Sequence, residues 1–326
     1  MAIKFENCMG SQPLTYVREV LSHFDFKKPP IPVEEISDFI GLKIKTVPNP
    51  KPNSAEAHEL LTRVPCWLDR EKHEIQLYER CPRKRKRLGI AHENNHYIIP
   101  YHEGLNPFCP EADDPTCRKH TEQEAFLGGA AMMFYPKLFF PDALSFDRIG
   151  IGAVEKLSDR YDGSIEATAN WYIRTHPKIC AVVIAQPFQR KAVQNGDPGT
   201  MKLGLDLRHS KRVKNPTPLA RLPRKFADYG MNYPLEVKYA IRSHRFPKWI
   251  RSGVGIPETS LINQCYQADV RMSGEVPAGD LGSRSPFSYT AECLPFGVNG
   301  SRSVMVILTL PDKQQNFGFL TPTLGW

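Results

Sequence analysis

The sequence changes character near residue 178. Before that point apolar residues recur at helical spacing; beyond it short β-rich runs take over. This segregation predicts an α+β chain with a boundary near 178. In the first part, residues 13–24 (PLTYVREVLSHF) read as a helix. A second runs from Val33 to Ile40, with Ile36, Phe39 and Ile40 on one face and Gly41 at the C-cap. Leu42 to Val47 alternates as a strand does, and Val64–Leu68 with Glu74–Tyr78 predicts a β-hairpin. Pro82 opens a helix reaching about Ile99, and 103–118 reads as a loop. Thr121 is placed to N-cap the next helix, with Glu122 and Glu124 near its positive end, and that helix reaches Tyr135 and Pro136. Two more helices are expected at 149–160 and 164–175, turned by Asp162-Gly163 and capped by Ser164. Strands are expected at Cys180–Ala185, Met201–Leu207, Val237–Ile241 and Val304–Leu310.

A hydrophobic share of 41% and a charged share of 24% are those of a globular chain and argue against wholesale disorder. No apolar run approaches the roughly 18 residues of a membrane span, and the first residues show no basic segment followed by an apolar one, so neither a membrane partner nor a secretory signal is expected. Eight cysteines are scattered from Cys8 to Cys293, which fits a reducing cytoplasm better than a disulfide framework. The net charge of +8 is concentrated: residues 181–256 hold 15 Lys/Arg against 4 Asp/Glu. Phe226, Tyr229, Tyr233, Tyr239 and Trp249 are interleaved there, a pattern that suits nucleic acid and equally a small basic core.

The helix from Pro82 contains His92-Glu93-Asn94-Asn95-His96, an H-E-x-x-H pattern. Positions four apart share a helix face, so both imidazoles can meet one metal ion. Zinc accepts neutral imidazole and in catalytic sites takes three protein ligands. Glu93, beside the first histidine, is placed to act as general base on a water molecule. The third ligand has four candidates: His102, His120, Glu122 and Glu124. His102 lies too close along the same helix or its end to turn back easily. Glu122 follows a loop long enough to cross over, and is preferred to Glu124. Ala125, Gly128, Gly129 and Ala130 below it are small, which lets their helix approach the metal helix closely.

The order of these features resembles the ImmA/IrrE family of zinc metallopeptidases: Pro32-Val-Glu-Glu-Ile36 leading to Gly41, a hairpin, Arg87-x3-Ala91-His92-Glu93-x2-His96, then Glu122-x2-Ala125 leading to Ala130-Ala-Met-Met-Phe-Tyr-Pro136. The match is specific over about 30–175 and architectural over 179–326. The resemblance implies a zincin-like metallopeptidase domain over 1–140, a helix-turn-helix-like unit over 141–178 and a GAF-like sensor domain over 179–326. It implies zinc (or manganese) held by His92, His96 and Glu122, with Glu93 as general base. It further implies cleavage of a helix-turn-helix repressor of the xenobiotic-response-element type, which would place the chain in a stress or DNA-damage response. Asn94 and Asn95 depart from the family's apolar residue followed by Gly or Ser. In the family the first of these positions often faces the core, so Asn94 is expected either to have partners or to sit in a wetter setting.

Other features carry less. Arg83-Lys-Arg-Lys-Arg87 opposes the dipole of its own helix and reads either as a solvated cluster or as steering for an acidic partner. Cys109 and Cys117 fit no common zinc spacing. The 164–175 helix offers Arg174 as its one cation, which favours packing over DNA contact. Two rival readings are a non-catalytic DNA-binding regulator with a structural metal, and a nucleic-acid-binding sensor with a vestigial protease site.

Overall fold

Apolar residues at helical spacing fold as expected into α1 (Gln12–Ser22) and α2 (Val33–Phe39), which bury Val17 and Leu21, and Val33 and Ile36. The computed structural model describes residues 12–49, 66–103, 115–188, 234–246, 250–283, 287–297 and 302–310. The expected strand over 201–207 and most of the basic block lie outside these residues. Gly41, at φ +85, ends α2 as the sequence predicts: its N–H bonds Asp38 O and the Leu42 N–H bonds Ser37 O, the paired bonds of a Schellman cap.

Three short strands follow, β1 (Lys43–Val47), β2 (Cys66–Asp69) and β3 (Glu74–Tyr78), in the order β1-β3-β2. The expected hairpin is β2–β3, antiparallel, with Cys66 opposite Leu77. β1 adds to β3 in parallel, with Lys43 opposite Glu74.

Helix α3 (Arg83–Ile98) starts immediately after Pro82, which is the N-cap. Helix α4 (Pro115–Met133) starts earlier than expected. Thr121 therefore lies inside it and is not its cap. Pro115 is the start signal, since its fixed φ and missing N–H suit a first turn. For the same reason Pro136 does more than end α4: it opens a helix the sequence reading did not anticipate, α5 (Pro136–Leu144). Helices α6 (Ile151–Tyr161) and α7 (Ile165–Thr175) follow, joined through Asp162 at φ +50. Ser164 Oγ accepts the Ala167 N–H at 3.1 Å, the expected cap. An aromatic cluster of Phe134, Phe139, Tyr161 and Trp171 joins α5–α7 to the end of α4, with Phe139 and Tyr161 ring centres 5.1 Å apart.

The remaining described elements are β4 (Cys180–Pro187), β5 (Leu235–Arg242), β6 (Gly255–Ile256), α8 (Leu261–Ala268), β7 (Met272–Pro277), β8 (Ser288–Phe296) and β9 (Ser303–Thr309). The strands make one sheet of order β6-β5-β4-β9-β8-β7. β4 and β9 are the central pair, and both are buried almost throughout, which is why they read as unbroken apolar runs. β8 alternates cleanly, burying Tyr289, Ala291 and Cys293. The chain is thus mixed α+β. It divides into two compact units, one comprising Met1–Val182, Ile241–Pro247 and Ile307–Trp326, the other Val183–Ala240 and Lys248–Val306. Among the described residues no helix is long and apolar enough to cross a membrane.

Candidate metal centre

Helix α3 carries the H-E-x-x-H residues and packs against α4 along the small-residue face. A Cβ on Gly128 would collide with the Asn95 amide, and one on Gly129 would stand 2.9 Å from the His92 nitrogen. Only residues without side chains admit this approach, and it brings Glu122 over both histidines. His92 Nε2 and His96 Nε2 are 3.1 Å apart; Glu122 Oε2 is 3.3 Å from the first, and Oε1 is 3.5 Å from the second. A tetrahedral ion with bonds of about 2.0–2.1 Å needs neighbouring ligand atoms about 3.3 Å apart. The His92–His96 and His92–Glu122 separations lie near that value and the second Glu122 oxygen stands over His96, so the three side chains fit an ion of this size. Among the described residues this is the one His/Cys/Asp/Glu group whose ligand atoms all lie within 4.8 Å of one another.

Glu93 lies on the same turn, partly buried. Burial pushes its pKa up to about 7; Glu122 adds to the rise, while His96, Arg70 and the Leu68 N–H oppose it. Cys66 Sγ is 4.0 Å from Glu93 Oε1, and burial with that carboxylate pushes the thiol pKa well up. Arg70, in the β2–β3 turn, donates to the His96 carbonyl at 2.5 Å, fastening the end of α3 to the hairpin. Phe126 lies one turn beyond Glu122 with its ring 4.3 Å from the His92 ring, and is largely exposed. Cys66, Arg70 and Phe126 carried no signal in the sequence beyond ordinary strand, turn and helix positions.

Two other third-ligand candidates have a different place. His102 Nδ1 is 3.0 Å from His96 Nδ1, and His102 Nε2 is 3.1 Å from Glu124 Oε2. The nearness of His102 along the chain does not keep it from turning back: extended Ile99 breaks α3, and a 3₁₀ turn over Pro100–His102 folds the imidazole under His96. Burial lowers the His102 pKa, and hydrogen bonding to Glu124 opposes the fall. The His120 side chain and Cys109 lie outside what the structure describes. Tyr97 bonds His73 at 2.9 Å, and Tyr101, which bonds Glu124, has its pKa raised by burial to about 12.

The two asparagines have partners. Asn94 Oδ1 accepts from Ser37 Oγ at 2.8 Å and its Nδ2 donates to Val33 O at 3.3 Å, both on α2; Asn95 Nδ2 donates to Glu124 O at 2.9 Å. The basic cluster is solvated over most of its length, with Arg83 and Arg85 exposed, and only Arg87 is buried. Arg83 and Lys84 pair with Asp162 and Asp159, Lys86 bonds Glu79 O, and buried Arg87 donates to Ile31 O at 2.8 Å with Asp162 3.3 Å from its Nε. Charges that weaken the start of α3 are used to hold α6 and the α2 approach. Helix α7 buries Ala169, Trp171, Tyr172 and Ile173, a packing role.

No family model matches this chain, and no curated protein sequence does. In fold it is similar to a solved structure, a Mycobacterium tuberculosis transcriptional regulator. That likeness has a TM-score of 0.54 at 8% identity and covers 93% of this chain and 77% of that one. At that identity the likeness is one of fold.

Proposed function

We propose that the chain is a zinc-dependent regulatory endopeptidase of the ImmA/IrrE kind. In this reading a zincin-like domain over 1–140 and a helix-turn-helix-like unit over 141–178 precede a GAF-like sensor over 179–326. The substrate is a DNA-binding repressor of the helix-turn-helix type, and its cleavage ends repression in a stress or DNA-damage response. The observation that carries the reading is the meeting of His92, His96 and Glu122 from two helices, with Glu93 beside them. Zinc, when bound, supplies Lewis acidity toward a carbonyl oxygen and makes water more acidic. Glu93 takes a proton from the attacking water and returns it to the departing amine nitrogen. Phe126, exposed over His92, offers an apolar ring to a substrate side chain. Glu93→Gln is the test: zinc stays bound and cleavage of a cognate repressor stops. A variant as active as wild type sinks the peptidase reading.

A second reading, a non-catalytic DNA-binding regulator with a structural metal, is favoured by the fold neighbour being a transcriptional regulator. In that case Glu93→Gln leaves the cellular response intact, and DNA binding weakens as salt rises.

A further inference from the structure

Proton bookkeeping around His102 gives the buried chain from Glu124 to His96 a direction. An ionised carboxylate only accepts hydrogen bonds. Against an ionised Glu124, the 3.1 Å contact from His102 Nε2 to Glu124 Oε2 needs the His102 proton on Nε2. A neutral imidazole carries one ring proton, so His102 Nδ1 is bare and accepts. The 3.0 Å contact between the two Nδ1 atoms then needs the proton of His96 on Nδ1. That leaves His96 Nε2 with an open lone pair, and Nε2 is the atom that faces His92 and Glu122.

The arrangement is built for this. His102 is 1% exposed and Glu124 3% exposed, so water does not compete for either. Tyr101 also bonds Glu124, and Asn95 holds the Glu124 backbone carbonyl at 2.9 Å, which fixes the carboxylate's helix against α3. His92 differs: among the described residues its buried Nδ1 has no hydrogen-bond partner. The two imidazoles of the motif are thus not equivalent, and one alone has its ring proton assigned by a protein group.

We infer that His102 and Glu124 are positioning residues that lock His96 in the tautomer and orientation needed to ligate through Nε2. The common outer partner of a ligand histidine is a single carboxylate or carbonyl; here a second histidine is inserted between ligand and carboxylate. The inference rests on the zinc reading of the site and deepens it.

The test uses the full-length zinc-loaded protein, with two readouts besides activity. The first is zinc affinity by competition with a chromophoric chelator. His102→Phe, which fills the space but accepts nothing, should weaken zinc about 10- to 100-fold. Glu124→Leu should do the same, while Glu124→Gln, whose amide oxygen accepts the same bond, should bind nearly as wild type. The second is the ring-nitrogen NMR signature of His102 in wild type, which should show a proton on Nε2 and a bare, accepting Nδ1. Undiminished affinity in a folded His102→Phe protein, or a proton on His102 Nδ1, overturns the inference while leaving the metal site standing. Wild-type protein that takes up no zinc overturns both. Should the variants fail to fold, the wild-type NMR signature decides alone.

Discussion

Gly129 of α4 lies against the backbone of His92 in α3: a Cβ added there would stand 2.9 Å from the His92 nitrogen and 3.0 Å from its Cα. The neighbours are main chain and cannot rotate away. Alanine at 129 gains about 1 kcal/mol in helix propensity, but forcing the two helices apart costs about 1–3 kcal/mol. Gly129→Ala should lower stability in urea unfolding and weaken zinc binding together, because the same displacement moves Glu122 off the histidines. Equal stability with intact zinc affinity would contradict the close packing described.

The two acidic residues of α4 should separate cleanly. On the zinc reading, Glu122→Gln removes a ligand and should weaken zinc by more than about 100-fold, past the range that outer partners cost. Glu124→Gln should not. Chelator competition on the two variants side by side reads the difference, and the reverse order would mean that the carboxylates have been assigned to the wrong roles.

Arg87 and Lys84 test whether the basic cluster is structural. Arg87 is buried against Ile31 O, and Asp162 keeps Arg83 as a partner, so Arg87→Ala should cost about 1–3 kcal/mol, chiefly by leaving the Ile31 carbonyl without its donor. Lys84 pairs at the surface with Asp159, and Lys84→Ala should change stability by less than about 1 kcal/mol. Denaturant midpoints give both numbers. Equal, small effects would leave the whole cluster in a solvated or steering role.

His176 should make the fold sensitive to acid. Its ring is buried, Lys178 N–H donates to Nδ1 at 3.1 Å, and burial with the Lys178 charge pushes its pKa down to about 4. The unfolded chain takes up this proton below about pH 6.5. Between about 6.5 and 4 the unfolded state therefore holds more protons, and stability falls as pH falls through that window; above it the contribution is complete. The loss approaches about 3 kcal/mol at the acid end. Urea unfolding of wild type and His176→Phe at several pH values should show a flatter dependence in the variant. Parallel curves would rule this source out.

Helix α3 was legible because its information is local: the spacing of His92 and His96, the proline before it and the small residues of the partner helix are all properties of short windows. The parallel pairing of β1 with β3 was not, since a hairpin announces itself by its turn and a parallel neighbour by nothing nearby. Helix α5 was hidden because a proline read as a stop is equally a start. The part played by His102 was lost to an assumption about reach, and depended on the backbone of Ile99, one residue of extended chain that redirects everything after it. The partners of Asn94 lie on α2, sixty residues away, where no spacing rule looks.

Those asparagines have a mechanical consequence. Two helices joined by an oily seam can slide by a turn and still bury the same surface. Here a slide of α3 would strand the Asn94 amide away from Val33 and the Asn95 amide away from Glu124, each at about 1–3 kcal/mol. The helix that carries both histidines is pinned along its own axis by polar teeth on two sides, so errors in the height of the site are penalised even where errors of burial would not be.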